Sequence, residues 1–355
     1  MRSARPGYVY ALVAAALFGA STPAAKWLLS SYGQLSPWLL AGILYLGSGL
    51  GLGLMRVVTR LMGRAIVEAP LRGRDWGWLG AATFFGGIIG PVLLLAGLAR
   101  MGAGSASLLL NLEGVFTAGL AWFVFKEHFD RRIFLGMVLI LSGGMVLTWT
   151  GGDLHSGGGG TLLVAGACFC WALDNNLTRR ISGSDALQIA MVKGLVAGTM
   201  NTVLALGMGH LEGSLPQYLT GGLIGFLGYG LSLLCFVLAL RHIGTARTGA
   251  YFSLAPFVGA VIALGVGGEP FTWRLAVAGG LMAAGVFLHL TERHGHEHVH
   301  DEMAHEHLHW HDEHHQHPHD PVDPASEPHS HPHRHEPLRH IHGHFPDLHH
   351  NHRHD

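Results

Sequence analysis

Apolar residues run along this chain in long blocks, without the short alternation of half-buried strands. The blocks are centred on Tyr8 to about Leu29, Ser36–Met55, Trp76–Leu98, Ser105–Phe125, Ile133–Thr150, Thr161–Leu177, Leu187–Leu206, Leu219–Leu240, Thr248–Gly267 and Arg274–Thr291. Each is close to the roughly 20 residues a helix needs to cross the hydrocarbon of a bilayer. The pattern therefore predicts ten membrane-spanning helices and an all-α membrane protein. Aromatic residues near block ends (Tyr8, Tyr10, Trp27, Trp38, Trp76, Trp149, Tyr218, Trp273) fit the interfacial belts where amphipathic rings settle. Arg2 and Arg5 before the first block imitate a signal peptide. That block is too long for one and more spans follow at once, so it is read as a retained helix.

The blocks also repeat. Gly97 to Leu147 returns, without a gap, in a second copy that starts near Ala239. At an offset of 269 − 127 = 142, Glu127 falls on Glu269, Gly102 on Gly244, Leu112 on Leu254, Ala118 on Ala260, Arg132 on Arg274 and Gly143 on Gly285. Such self-similarity governs the architecture. It divides the chain into a first repeat of five spans (1–150), a second (151–292) and a tail (293–355). Lys and Arg then set the orientation. Loops on the side of the N-terminus hold fifteen of them (Arg2, Arg5, Arg56, Arg60, Arg64, Arg72, Arg74, Lys126, Arg131, Arg132, Arg179, Arg180, Arg241, Arg247, Arg293), while the opposite loops hold two, Arg100 and Arg274. The positive-inside bias predicts a cytoplasmic-membrane protein with both termini in the cytoplasm. Five spans is an odd number, so the second repeat enters from the other side. Inverted repeats of this kind enclose a midplane site and work by alternating access.

The residues that carry this pattern resemble a known group. The small-residue first span ALFGASTPAAKWL (Ala16 to Leu28), the two fourth-and-fifth-span blocks with Glu127 and Glu269 at their turns, and Leu254-Ala255-Pro256-Phe257 are similar to the drug/metabolite transporter superfamily, specifically its ten-helix members with two EamA domains. The resemblance covers about Tyr8 to Leu290. It implies export of small metabolites, amino acids or toxic compounds, often by proton exchange, so protons are the implied coupling ion. Fold likeness does not name a substrate; the site must.

Composition narrows the site. Only 13% of the 355 residues are charged and the net charge is −1, which points away from nucleic acid. The 52 glycines suit close helix contact in lipid. The three cysteines lie inside apolar runs and form no secreted disulfide framework. No nucleotide loop, nucleophile elbow or zinc-protease motif is present, so no enzyme is expected. An ionisable residue inside a span costs about 2.5–3.5 kcal/mol or more and generally faces a cavity. Glu113, midway along the fourth span, is a candidate to bind a cation or carry the coupling proton, against a packing acid hydrogen-bonded within the bundle. Lys193, one or two turns into the seventh, is a candidate to hold a carboxylate or to pair with Glu113 or Asp174, against snorkelling. Asp174 and Asn175 in the sixth span complete the expected pathway, against a span that ends near Leu173. Lys26 joins it, against snorkelling at the end of the first. Glu127 and Glu269 are expected to hydrogen-bond the start of the following helix.

The tail is the most individual part. Between His294 and His354 lie 23 of the 28 histidines, with frequent Pro, Asp and Glu. A segment so poor in apolar residues is expected to be disordered alone. Neutral imidazole is the commonest metal ligand, and nitrogen and oxygen donors without thiolate suit Zn²⁺, Ni²⁺, Co²⁺ or Cu²⁺. Candidate ligands are His294, His296, His298, His300, His305, His307, His309, His311, His314 and His315; the competing reading is a solvated, pH-responsive extension. Three functions follow: a secondary exporter of a small molecule with a metal-binding tail, a Ni/Co/Zn exporter, or a non-transporting, metal-sequestering membrane protein. Against metal as cargo, only His289 lies inside a span, His242 is at an edge, and Cys168, Cys170 and Asp174 make a weak soft site. Partners are then the lipid bilayer and the substrate, with a homodimer compatible.

Overall fold

The computed structural model describes residues 4–31, 35–63, 70–125, 131–148, 154–181, 184–210, 212–291, 295–300, 303–309, 329–335 and 338–343. Glu127 of the first turn, and His294, His311, His314 and His315 of the tail, lie outside them. The first half comprises α1 (Ala4–Ser31), α2 (Pro37–Leu61), α3 (Asp75–Ala82), a π-helical turn (Thr83–Ile89), α4 (Gly90–Leu98), α5 (Ala103–Leu109), α6 (Leu112–Phe125) and α7 (Arg131–Thr148). The second comprises α8 (Leu154–Arg179), α9 (Ala186–Gly207), α10 (Leu215–Gly225), a π-helical turn (Phe226–Leu231), α11 (Ser232–Phe252), α12 (Ala255–Gly265) and α13 (Trp273–Leu290).

Among the described residues, five helices are singly long and apolar enough to cross a membrane: Gly7–Ser30, Pro37–Leu61, Asp75–Leu98, Ala186–Gly207 and Leu215–Ala239. Phe134–Leu147, Ala255–Gly265 and Trp273–Leu288 are shorter apolar helices. The eighth and ninth spans share α11, which contains a reversal. The Phe252 ring lies 4.8 Å from that of Phe236, whereas a straight helix would hold these positions about 24 Å apart.

Irregular backbone recurs at corresponding positions of the halves. The π-helical turn that starts at Thr83 is answered by one that starts at Phe226, and the break at Leu110–Asn111 by one at Ser253–Leu254. The repeat thus reappears as backbone geometry within one residue of its 142-residue offset, and the π-helical turns extend it upstream of the stretch where side chains match. The break forms in the first copy although Glu113-Gly114 stand where the second places Pro256 just inside its helix. Inside a bilayer such breaks are tolerated only where protein or a polar cavity satisfies the freed groups, and half-helices at the midplane are a transporter's means of presenting backbone to a substrate.

The two halves interlock. Helix α1 packs against α11 and α12, while α8 packs against α4 and α6, so the first helix of each half sits on the other half. A Cβ on Gly143 would meet Ala278 O at 3.0 Å and Met282 Cγ at 2.7 Å; one on Gly285 would meet Gly136 O at 2.6 Å and Ile140 Cγ1 at 2.8 Å. Applying the 142-residue offset to either set of contacts generates the other. A self-complementary contact of this kind is the mark of a two-fold axis. Because later residues of α7 meet earlier residues of α13, the helices are antiparallel, as an inverted repeat requires.

The tail departs from the expected structureless extension in four described stretches. β1 (Gly295–His300) pairs antiparallel with β4 (Leu338–Gly343), and β2 (Met303–His309) with β3 (His329–His335). His-x-His has the two-residue period of a strand, and that periodicity was read only for its ligands.

Candidate substrate site

The polar residues of the membrane domain gather where α8 crosses the two irregular segments of the first half. Asp174 lies in the last third of α8, buried, and its carboxylate meets the Lys193 ammonium of α9 at 2.7 Å (Oδ1) and 2.6 Å (Oδ2). The Thr178 hydroxyl donates to Oδ1 at 2.8 Å. Helix α8 continues past Leu173 to Arg179, so Asp174 is not solvated at a helix end, and Lys193 turns inward to it and does not snorkel. The next residue, Asn175, donates from Nδ2 to Glu113 Oε1 at 2.6 Å. Glu113 stands in the first turn of α6, just past the helix break. Four of the residues expected on the pathway therefore form two adjacent pairs on neighbouring positions of one helix.

The remaining candidates stand elsewhere. Lys26 donates from Nζ to Leu98 O at 2.6 Å, closing the carbonyl end of α4, where a cation also favours the helix dipole. Glu269, a turn residue expected to hydrogen-bond the start of the helix that follows it, sends its carboxylate elsewhere. It accepts from Ala103 N at 2.5 Å and Gly104 N at 3.0 Å, capping α5 of the opposite half. The start of α5 has no side-chain cap of its own because Gly102 holds the cap position, and the inverted packing brings Glu269 to it.

The walls of the site are uncharged and were not singled out from the sequence. Gly86 O, in the π-helical turn, accepts from Tyr45 Oη and from Trp171 Nε1, both at 2.9 Å, and Gly87 O accepts from Asn201 Nδ2 at 2.9 Å. A π turn leaves carbonyls without their usual helical donors, and these three side chains supply them. A Cβ on Gly86 would collide with Asp174 Oδ2, so glycine there is what admits the carboxylate. The rings of Phe18, Trp171, Tyr229 and Tyr45 continue the wall, with centroids of neighbouring rings 5.4–6.1 Å apart. The available signal was the glycine pair Gly86 and Gly228, which sit at the repeat offset.

The weak soft site does not assemble. Cys168 donates its thiol to Leu109 O at 3.6 Å, at the end of α5, and Asp174 is occupied by Lys193. Among residues whose side chains the structure describes, no group of three His, Cys, Asp or Glu is placed to hold a metal ion.

Comparison with known proteins agrees with this architecture. A transporter of Methanothermobacter thermautotrophicus, called uncharacterized, is 30% identical over 298 residues, 79% of this chain and 85% of that protein. A protein of Salmonella typhimurium named as a probable amino-acid metabolite efflux pump is 27% identical over 207 residues, 54% of this chain and 68% of that one. One crystal structure shares the fold with a TM-score of 0.56 at 17% identity, over 81% of this chain and 95% of the other. A model of the EamA-like transporter family matches twice, at residues 5–149 and 158–291. The chain is a multi-pass membrane transporter and not an enzyme, and it belongs to the EamA-like transporter family within the drug/metabolite transporter superfamily.

Proposed function

We propose that the chain is a secondary active exporter of small zwitterionic metabolites of the amino-acid class across the cytoplasmic membrane. The observation that carries this reading is the buried Asp174–Lys193 pair beside Glu113–Asn175. Buried charges persist only when compensated. An amino acid brings one ammonium and one carboxylate a single carbon apart. It can therefore replace each partner for the other, its carboxylate on Lys193 and its ammonium on Asp174, leaving no charge bare. The similarity to a protein named as an amino-acid metabolite efflux pump supports the substrate class and the outward direction. Glu113, bonded to the neutral Asn175 amide, carries the coupling proton. The excess of Lys and Arg in one set of loops supports cytoplasmic termini. The same reading makes the tail a cytoplasmic binder of divalent transition metal.

Counterflow in proteoliposomes tests the transport reading. Liposomes preloaded with an unlabelled amino acid should accumulate its labelled form, and Lys193→Met should abolish that. Accumulation of organic cations or divalent metals instead, with no amino acid exchanged, overturns the substrate class.

A further inference from the structure

The tail is where histidine is densest, and the strand register says which histidines stand together. In the β2–β3 ladder His305 is opposite His333, His307 opposite His331 and His309 opposite His329. In the β1–β4 ladder His296 is opposite His342 and His298 opposite His340. Alternate residues of a strand share a face, so the seven histidines of the first ladder (His335, opposite Met303, included) share one face of the ribbon and the five of the second (His300, opposite Leu338, included) share one face of theirs. The intervening positions are of other kinds: Ala304 opposite Arg334, Glu306 opposite Pro332, Leu308 opposite Ser330. The matching parity of segments distant in sequence is what makes three rungs of the first ladder and two of the second His–His rungs. A one-residue slip would set every histidine against a non-histidine.

Directly opposed residues of an antiparallel pair have Cβ atoms about 4.5–5.5 Å apart, and neighbours two positions along a strand are separated by about 7 Å. Two successive rungs therefore place four histidines at the corners of a rectangle of register positions. Zn²⁺ in structural sites takes four nitrogen or sulfur ligands, the number of histidines two rungs supply. We infer that each ladder is a four-histidine site for a divalent d-block ion such as Zn²⁺, one formed by the rungs His305/His333 and His307/His331 and the other by His296/His342 and His298/His340. The site rests on the reading of the tail as a metal binder and sharpens it: parity and register select the ligands, and the number of histidines does not. A bound ion ties strands from the two ends of the tail, so metal occupancy is also what holds the ribbon closed.

The test uses the full-length protein in detergent micelles and Zn²⁺ alone, titrated by calorimetry at pH 7.5. The wild type should bind two ions per chain tightly. The variant A304H/H305A/H307L/L308H keeps the composition but moves two histidines to the other face, and it should bind one. A control with four histidines removed outside the ladders, H317Q/H319Q/H349Q/H350Q, should still bind two. Two tight ions in the parity variant, or loss in the control equal to that in the variant, overturns the register assignment while leaving a metal-binding tail intact. No tight Zn²⁺ in the wild type removes the metal-binding tail itself. Elution of all three proteins at the same volume on a sizing column verifies that the membrane domain is unchanged.

Discussion

Replacing Asp174 and Lys193 separately and together distinguishes a transport site from a structural staple. Both side chains are 10% exposed, and Asp174 takes the ammonium on both oxygens as well as the Thr178 hydroxyl. Removing one member of a buried pair strands the other charge and costs about 3–5 kcal/mol. At 1.4 kcal/mol per tenfold, that is a loss of about two to three and a half orders of magnitude in the folded ratio. Asp174→Asn is the isosteric choice, because Gly86 leaves no room for a larger side chain. Lys193→Met keeps the length of the stem. Each single change should lower the midpoint of thermal unfolding in detergent sharply. The double change should restore most of it, since replacing a buried ion pair by neutral groups of like volume is often neutral or stabilising. Counterflow of a labelled amino acid should be lost in all three. A double variant that is stable and still transports at the wild-type rate refutes the substrate role of the pair. Single effects that simply add in the double variant refute the ion pair.

Other perturbations probe the scaffold and the tail. Glu269→Ala removes the cap of α5 and should cost about 0.5–2 kcal/mol, with Glu269→Gln costing less because an acceptor remains; unfolding in detergent measures both. Gly143→Ala and Gly285→Ala each force a methyl group into the partner helix across the axis, and overpacking costs about 1–3 kcal/mol. The two should shift the unfolding midpoint by similar amounts, and a large shift in only one contradicts the two-fold contact. Zinc affinity of the full-length protein should fall more than tenfold between pH 7.5 and 5.5, since protons compete for imidazoles whose ordinary pKa is about 6.5. Calorimetry at the two pH values checks this, and an unchanged affinity points to carboxylate ligands instead.

Much of the fold was legible because lipid permits few solutions. Uncharged blocks of spanning length, a gapless repeat and biased loop charges left an inverted pair of helical halves as the consistent arrangement. At the site, the ionisable residues announced themselves by cost: Asp174, Lys193 and Glu113 are the groups a span would otherwise lack, and they meet through direct contact and the Asn175 amide next to Asp174. Tyr45, Trp171 and Asn201 gave no such signal, because an aromatic or an amide in an apolar run is ordinary until a π turn leaves a carbonyl for it to satisfy. Glu269 was misassigned for a related reason. Its partner is 165 residues away in sequence, and only the inverted packing puts the uncapped start of α5 beside it. The paired strands of the tail went unread because His-x-His was weighed as chemistry and not as periodicity.

The symmetry itself explains why charge collects off the axis. Gly86 and Gly228 occupy equivalent places in the two π-helical turns, and each is faced by the first helix of the opposite half. Against Gly86 stands Asp174; against Gly228 stands Ser21, whose Cβ a methyl group there would meet at 2.5 Å. One backbone frame thus carries two niches, a hydroxyl in one and a carboxylate in the other. A transporter that rocks about a two-fold axis needs its halves alike in shape, so that the outward and inward forms are near-equal in packing. It does not need them alike in chemistry, because a single substrate occupies a single set of charges. The duplicated glycines therefore serve the motion, and the residue opposite each is free to serve the cargo. On that argument Ser21→Asp should place a second carboxylate at the equivalent niche, beside Tyr229 and without a lysine to answer it. Thermal unfolding should show a larger loss than Ser21→Ala causes, because the new charge is buried unpaired. Equal midpoints for the two variants would show that this niche is open to water, and the equivalence of the two glycine sites would fail with it.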